Sequence, residues 1–201
     1  MKLYYTPGVC SLAPHIALRE AGQEFDLIMV DLHAKQTDDG GDYNQVNRHG
    51  KVPALDIGED TVLTENPAIL QYIADRNPDA GLAPPAGSSA RYRLHSWLSY
   101  LGSELHKLFG PLFAPGHSDD EKKRSSQGID SALTRLDEEL SSRDYLVGDR
   151  FSVADAYLFT ILGWPKMVGI DMAKYPALNA YTGRIAQREG VQAALKAEGL
   201  I

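Results

Sequence analysis

Cys10 is the single cysteine of the 201-residue chain, and it lies in the stretch Thr6-Pro-Gly-Val-Cys10-Ser11. Lys2 to Tyr5 before it reads as a short strand, Pro7-Gly8 as a turn, and Leu12 to Ala21 as a helix closed by Gly22. That places the thiol at a helix mouth, where unsatisfied N–H groups and the helix dipole favour an anion. A thiol in such a place can fall below its ordinary pKa of about 8.5, and the thiolate is the reactive, nucleophilic form. Pro14 falls in the first turn, where spare donors make a proline harmless. The competing reading is a buried, inert structural cysteine.

The elements that would position this thiol can be followed along the chain. Phe25 to Leu32 alternates as a second strand does. Residues 33–50 are polar, with Asp38-Asp39-Gly40-Gly41 and no apolar period, and read as a loop with one short helix. Lys35 and Lys51 stand at its two ends, each on its own a solvated lysine. Val52-Pro53 opens a strand running to Ile57, a position a proline tolerates and where its peptide bond is expected to be cis. Gly58-Glu-Asp60 turns the chain into a pairing strand at Thr61–Leu63. Asn66 is expected to cap the next helix, with Pro67 at its first position and Ile69, Leu70, Tyr72 and Ile73 on its buried face. The order strand, helix, strand, loop, strand, strand, helix implies a small mixed sheet with helices packed on it.

A run rich in Pro, Gly and Ser follows Asn77, and it is the one break in composition. We place a first domain at 1–79, a linker at 80–88 and an all-helical domain at 89–201. In the first long helix, Trp97, Leu101, Leu105, Leu108 and Leu112 form an apolar stripe, beside a polar one of Tyr92, Ser96, Ser99, Ser103 and His106. The run Asp119 to Leu140 is a charged amphipathic helix without evident chemistry. Ser152 and Asp155 form a capping box, which makes Asp155 structural. The helix that opens there should end or bend near Pro165, whose missing N–H would leave the carbonyl of Ile161 unpaired. Two closing helices are expected around 177–187 and 191–197.

Composition narrows the field of functions. With 43% hydrophobic and 23% charged residues the chain is an ordinary globular one. One cysteine allows no internal disulfide and fits a reducing compartment. No stretch is long and apolar enough to span a membrane, and the first residues lack a signal-peptide core, so the expected location is the cytoplasm. A net charge of −7 argues against nucleic acid or an anionic membrane surface as partner.

Strand-Pro-Cys-helix, then Val-Pro before a hairpin, then Thr-Glu-Asn at a helix start resembles the thioredoxin-like domain of glutathione transferases. Cys10, Lys35, Val52-Pro53, Glu65 and the later Glu-Leu-His106-Lys are similar to the bacterial beta class, over essentially the whole chain including the closing Ala-Glu-Gly-Leu. The resemblance implies an α/β domain of thioredoxin type followed by an all-α helical bundle, paired as a homodimer. It implies that the Val52 backbone holds the cysteinyl part of glutathione, with Pro53 beside it. Glu65 and residue 66 would hold the γ-glutamyl end, and Lys35 and Lys51 would lie near carboxylates. Relatives often have Ser where this chain has Asn66. Ser99, Ser103, Glu104 and Leu105 match positions that touch glutathione. His106 matches a residue near the glutathione sulfur, where a neutral imidazole could take the thiol proton and an imidazolium would stabilise the thiolate. Ser11 and Tyr5 join Cys10 and His106 as candidates for activating sulfur. Tyr5, Phe109, Phe113 and Trp164 would line a pocket for a small, largely apolar electrophile.

The expected function is therefore conjugation of the glutathione thiol to such electrophiles, as in detoxification, with glutathione as co-substrate and neither metal nor other cofactor. The enzymatic alternative is glutathione-dependent disulfide or peroxide reduction, or reductive dehalogenation, through a Cys10–glutathione mixed disulfide. The non-enzymatic alternative is a carrier of apolar ligands with the same fold.

Overall fold

Strand β1 (Lys2–Tyr5) is the centre of a five-stranded sheet of order β3-β2-β1-β4-β5, with β2 at Asp26–Asp31, β3 at Gln36–Thr37, β4 at Ala54–Gly58 and β5 at Thr61–Thr64. It pairs parallel to β2 (Leu3 opposite Leu27) and antiparallel to β4 (Leu3 opposite Leu55), and β4 pairs antiparallel to β5. The computed structural model describes residues 1–201, which divide into one unit of Met1–Ala83 with Arg188–Ile201 and a second of Pro84–Gln187.

In the first unit, helices α1 (Leu12–Glu20) and α2 (Asn66–Arg76) pack on each other, burying Leu12, Ala13, Ile16, Ala17 and Leu18 from one and Ile69, Leu70 and Ile73 from the other. A separate cluster gathers Tyr4, Val30, Tyr43, Val52 and Ala54. The loop expected at 33–50 contains the short helix, at Tyr43–Gln45, but also the two residues of β3. β3 is too short to show an alternating pattern. Thr37 holds it instead, accepting through its carbonyl from Gly40 while its N–H donates to Gly41 at 2.9 Å. Asn66 does not cap α2. Glu65 occupies the boundary, at φ 69°, and its carbonyl accepts from Ala68 and Ile69. The Asn-Pro signal thus marked the helix start one residue late. The Val52–Pro53 bond is cis, as the sequence suggested.

The closing helix also departs from expectation. Helix α9 (Glu189–Ala197) belongs with the first unit, against α1, and not with a helical domain running to residue 201. Polar groups explain the attachment. Arg188 bonds Glu20 through Nε at 3.1 Å and through a second guanidinium nitrogen. His15 Nδ1 meets Glu198 Oε1 at 2.8 Å, with both side chains fully buried. Gly190 has no Cβ to collide with Glu20, whose carboxylate would lie only 2.7 Å from one.

In the second unit, helix α3 (Ser89–Tyr100) passes into a π-helical turn at Leu101–Leu105, then into α4 (His106–Leu108) and α5 (Gly110–Phe113). A continuous α-helix was expected. The π turn carries an extra residue and rotates the face that follows it. The buried stripe is Leu94, Leu98, Leu101, Leu105 and Phe109, whereas Trp97, Leu108 and Leu112 are only half-buried. The small polar stripe is exposed at Tyr92, Ser96, Ser99 and Ser103.

Helix α6 (Asp119–Leu140) starts at a capping box of Ser118 and Glu121. Helix α7 (Val153–Leu162) is buried along its whole length and ends before Pro165, where Trp164 N–H takes over the carbonyl of Ile161 at 3.0 Å. The Asp155 carboxylate accepts from Ser152 N and Oγ, from Leu146 N and from the Tyr181 hydroxyl of α8 (Pro176–Ala186). Asp155 is structural, as the capping pattern indicated. No helix is long and apolar enough to cross a membrane.

Candidate functional site

The turn between β1 and α1 is held from three sides. Gly8, at φ 72°, donates its N–H to Glu198 Oε2 at 2.8 Å. Thr6 Oγ1 donates to Val30 O at 2.7 Å. Ser11 Oγ donates to Thr6 O and accepts from Thr6 N, both at 3.1 Å. Ser11 is fully buried and committed to this loop, so it serves to shape the turn.

Cys10 stands at the helix mouth as predicted, but its acidity does not follow. Burial pushes the thiol up to about 12, and the nearby Glu65 carboxylate adds to the rise. The amides of Cys10 and Ser11 and the Lys51 cation pull the other way and lose. The helix mouth supplies partial charges, whereas the apolar cluster beside it removes water from a whole one, and desolvation is the larger effect. The proton has a place to go: Sγ donates to Val52 O at 3.2 Å.

Around this thiol the first unit gathers the other predicted residues unevenly. Asn66 Nδ2 donates to Cys10 O at 2.9 Å, tying the start of α2 to the Cys10 backbone, while its Oδ1 is a buried acceptor without a partner. Because a carbonyl can only accept, the amide nitrogen must be the end that faces it. Lys35, at φ 56°, donates from Nζ to Gly50 O at 2.7 Å, and Lys51 keeps an exposed side chain while its carbonyl accepts from Tyr43 and Asn47. Glu65 holds a backbone conformation that non-glycine residues adopt rarely, a kind of strain that concentrates at functional sites. Tyr5 is buried against His15, with ring centroids 6.2 Å apart. Its phenol is raised by burial first, then by Glu198 and Asp38, which disfavours a tyrosinate there.

The second unit holds the remaining residues. His106 follows the π turn, its backbone N–H bonded to Leu101 O five residues back. Its Nδ1 lies 2.8 Å from the Tyr157 hydroxyl. Trp164 lies tilted against the imidazole at 4.8 Å between centroids, and Phe109 and Phe113 complete the aromatic group at 5.4 Å and 6.0 Å from Trp164. Phe113 is exposed, but Phe109 and Leu105 are fully buried, so their side chains are packing and present no surface to a ligand. Ser99, Ser103 and Glu104 are exposed. The sequence reading missed Tyr157, which periodicity marks only as a core residue of α7. It also missed His15 and Glu198, which lie 183 positions apart and carry no local pattern. No group of three or more His, Cys, Asp or Glu side chains is placed to hold a metal ion.

The glutathione S-transferase N-terminal domain family matches residues 1–75, and the glutathione S-transferase C-terminal domain family matches residues 101–189. The chain belongs to the glutathione S-transferase family. It is 45% identical over 200 residues to glutathione S-transferase GstA of Escherichia coli O157:H7, covering all of both chains. A sphingomonad glutathione S-transferase solved in complex with glutathione is 59% identical, with a TM-score of 0.97 over the full length of both chains. The beta-class glutathione S-transferase of Sphingomonas chungbukensis is 58% identical, with a TM-score of 0.98 over the same coverage. The resemblance to the bacterial beta class is therefore borne out, as is the architecture of a thioredoxin-like domain with a helical one.

Proposed function

We propose that this protein is a glutathione transferase that joins the thiol of glutathione to small, largely apolar electrophiles. The observation that carries the reading is its full-length likeness, at 59% identity, to a sphingomonad enzyme solved with glutathione bound. In this proposal the Val52 backbone pairs with the cysteinyl part of the tripeptide, beside Pro53. Glu65 and Asn66 hold the γ-glutamyl end at the start of α2, and Lys35 and Lys51 serve its carboxylates. In the second unit, Ser99, Ser103 and Glu104 supply polar contacts and Leu105 a backbone one, while the exposed Phe113 favours an apolar co-substrate and Trp164, buried like Phe109, packs behind it.

The glutathione sulfur is the nucleophile: its thiolate attacks the electrophilic carbon, a C–S bond forms and the leaving group departs with its electron pair. Cys10, kept protonated at neutral pH, then turns its S–H from Val52 O to that thiolate and leaves the Val52 carbonyl to the tripeptide. The same protonation counts against the mixed-disulfide route, because a thiol near 12 is almost never the thiolate that exchange requires. We further propose a cytoplasmic homodimer with a role in detoxification.

The test is a conjugation assay with 1-chloro-2,4-dinitrobenzene, together with calorimetric titration by S-methylglutathione. Saturable conjugation and stoichiometric binding are expected. Absence of both would overturn the reading, and sedimentation of the purified chain decides the dimer.

A further inference from the structure

In the first unit a pocket of about 320 Å³ opens between the last turns of α1 and α2 and the end of β4. Both helices run away from the Cys10 turn: α1 starts beside it at Leu12, and α2 starts at Asn66, whose amide holds Cys10 O. The pocket lies at their far ends, on the order of 15 Å from the thiol by the length of α2.

Its polar wall has a fixed orientation. Asn77 Nδ2 donates to Ile73 O at 2.8 Å, and a carbonyl can only accept, so Asn77 turns its Oδ1 toward Gln23. Gln23 therefore presents Nε2 to that oxygen, at 2.6 Å, and is left with Oε1 as an unused acceptor. The negative ends of the two helices are closed off as well. The carbonyls of Ala17, Leu18 and Arg19 accept from Ala21, Gln23 and Gly22, and those of Ile73 and Ala74 accept from Asn77. A helix end repels an anion through carbonyls without partners, and these have theirs. One charge remains. Arg76 is exposed and has no ion-pair or hydrogen-bond partner, and no Asp or Glu lines the pocket with it, in a chain of net charge −7. Half-buried Tyr72 and Ile57 add a ring and an apolar side, over a floor closed by the fully buried Leu18 and Ile73.

We infer that this pocket is a second binding site, for a small hydroxy acid whose carboxylate pairs with Arg76 and whose hydroxyl donates to Gln23 Oε1. A guanidinium holds a carboxylate by two parallel bonds, which fixes its direction as well as its charge. The volume is about ten waters' share of liquid, room for an acid with on the order of ten non-hydrogen atoms. None of these residues belongs to the glutathione site proposed above, so the inference stands apart from that reading.

The test is a titration of the isotope-labelled full chain with 4-hydroxyphenylacetate, followed by nuclear magnetic resonance at the side-chain amides of Gln23 and Asn77. Saturable shifts of both, with a Kd of about 1 mM or tighter, are expected. No shifts, or shifts confined to residues around Cys10 and Val52, would overturn the site. The neutral 4-hydroxyphenylacetamide should bind about tenfold more weakly or worse, and so should the acid to Arg76→Gln, a change that breaks no internal contact. Equal affinity in either comparison would overturn the role of Arg76. Phenylacetate lacks the hydroxyl and should also bind more weakly. If it binds as well as the hydroxy acid, the contact with Gln23 Oε1 is wrong.

Discussion

At pH 8 a thiol with a pKa near 12 is ionised in about one molecule in ten thousand. The alkylation of Cys10 by iodoacetamide should therefore be slow at neutral pH and should keep rising about tenfold per pH unit past pH 10, where an unperturbed cysteine has levelled off. A plateau near pH 8 or 9 would contradict the burial argument. Cys10→Ala should lower conjugation by no more than about tenfold, because the nucleophile is the glutathione sulfur and only a hydrogen-bond donor is lost. The position of this residue was legible from a turn, a helix mouth and a sequence of side-chain types. Its acidity was not, because the residues that dehydrate it, Val52 and Tyr43 among them, come from 33 to 42 positions away and no local pattern announces them.

Among the elements, the helix starts show where local chemistry suffices. The box at Ser118 and Glu121 holds α6, and hydrogen bonds from Ser118 N–H and Oγ, then from His117, lower the Glu121 carboxyl to about 2. A carboxylate with a depressed native pKa stabilises the fold above its unfolded value of about 4.3 and loses that contribution as the pH falls through about 2. Glu121→Gln should thus speed amide exchange in the first turn of α6 at neutral pH, with the difference from wild type fading toward pH 2. Asp155 is the buried counterpart. Asp155→Ala would strand the N–H groups of Leu146 and Ser152 and the Tyr181 hydroxyl, at about 3 kcal/mol, read as a lowered denaturation midpoint. The Ser152 box was legible in four consecutive residues, whereas the one at Ser118, of the same spacing, was missed among the charges that follow it. The π turn at 101–105 could not be read, because the stripe of Trp97, Leu101, Leu105, Leu108 and Leu112 fits an uninterrupted α-helix equally well. Only the packing of Leu94, Leu98 and Phe109 decides for the extra residue.

For the whole molecule, the sequence divided the chain once, at its Pro- and Gly-rich break, and that break does separate two units. It did not show that residues 188–201 return to the first of them. The ties are a few long-range polar contacts, Glu20 with Arg188 and Glu198 with His15 and Gly8, which leave no composition shift. Glu198→Ala should remove the buried acceptor of both His15 and Gly8 and destabilise the fold by about 3 kcal/mol. It should also loosen the turn that carries Cys10, read as faster amide exchange at Gly8. Unchanged exchange there would show that α1 alone holds the turn.

That return of the chain has a consequence during synthesis. The strands and helices around Cys10 leave the ribosome first, yet the segment that closes over α1 is made only after all of Pro84–Gln187. At ordinary elongation rates this gap is on the order of ten seconds. For that time His15 lacks its carboxylate and the face of α1 that α9 will cover stays open. Of the two units, the one begun earlier is completed later, and a nascent chain stalled before Arg188 would be one for chaperones to hold.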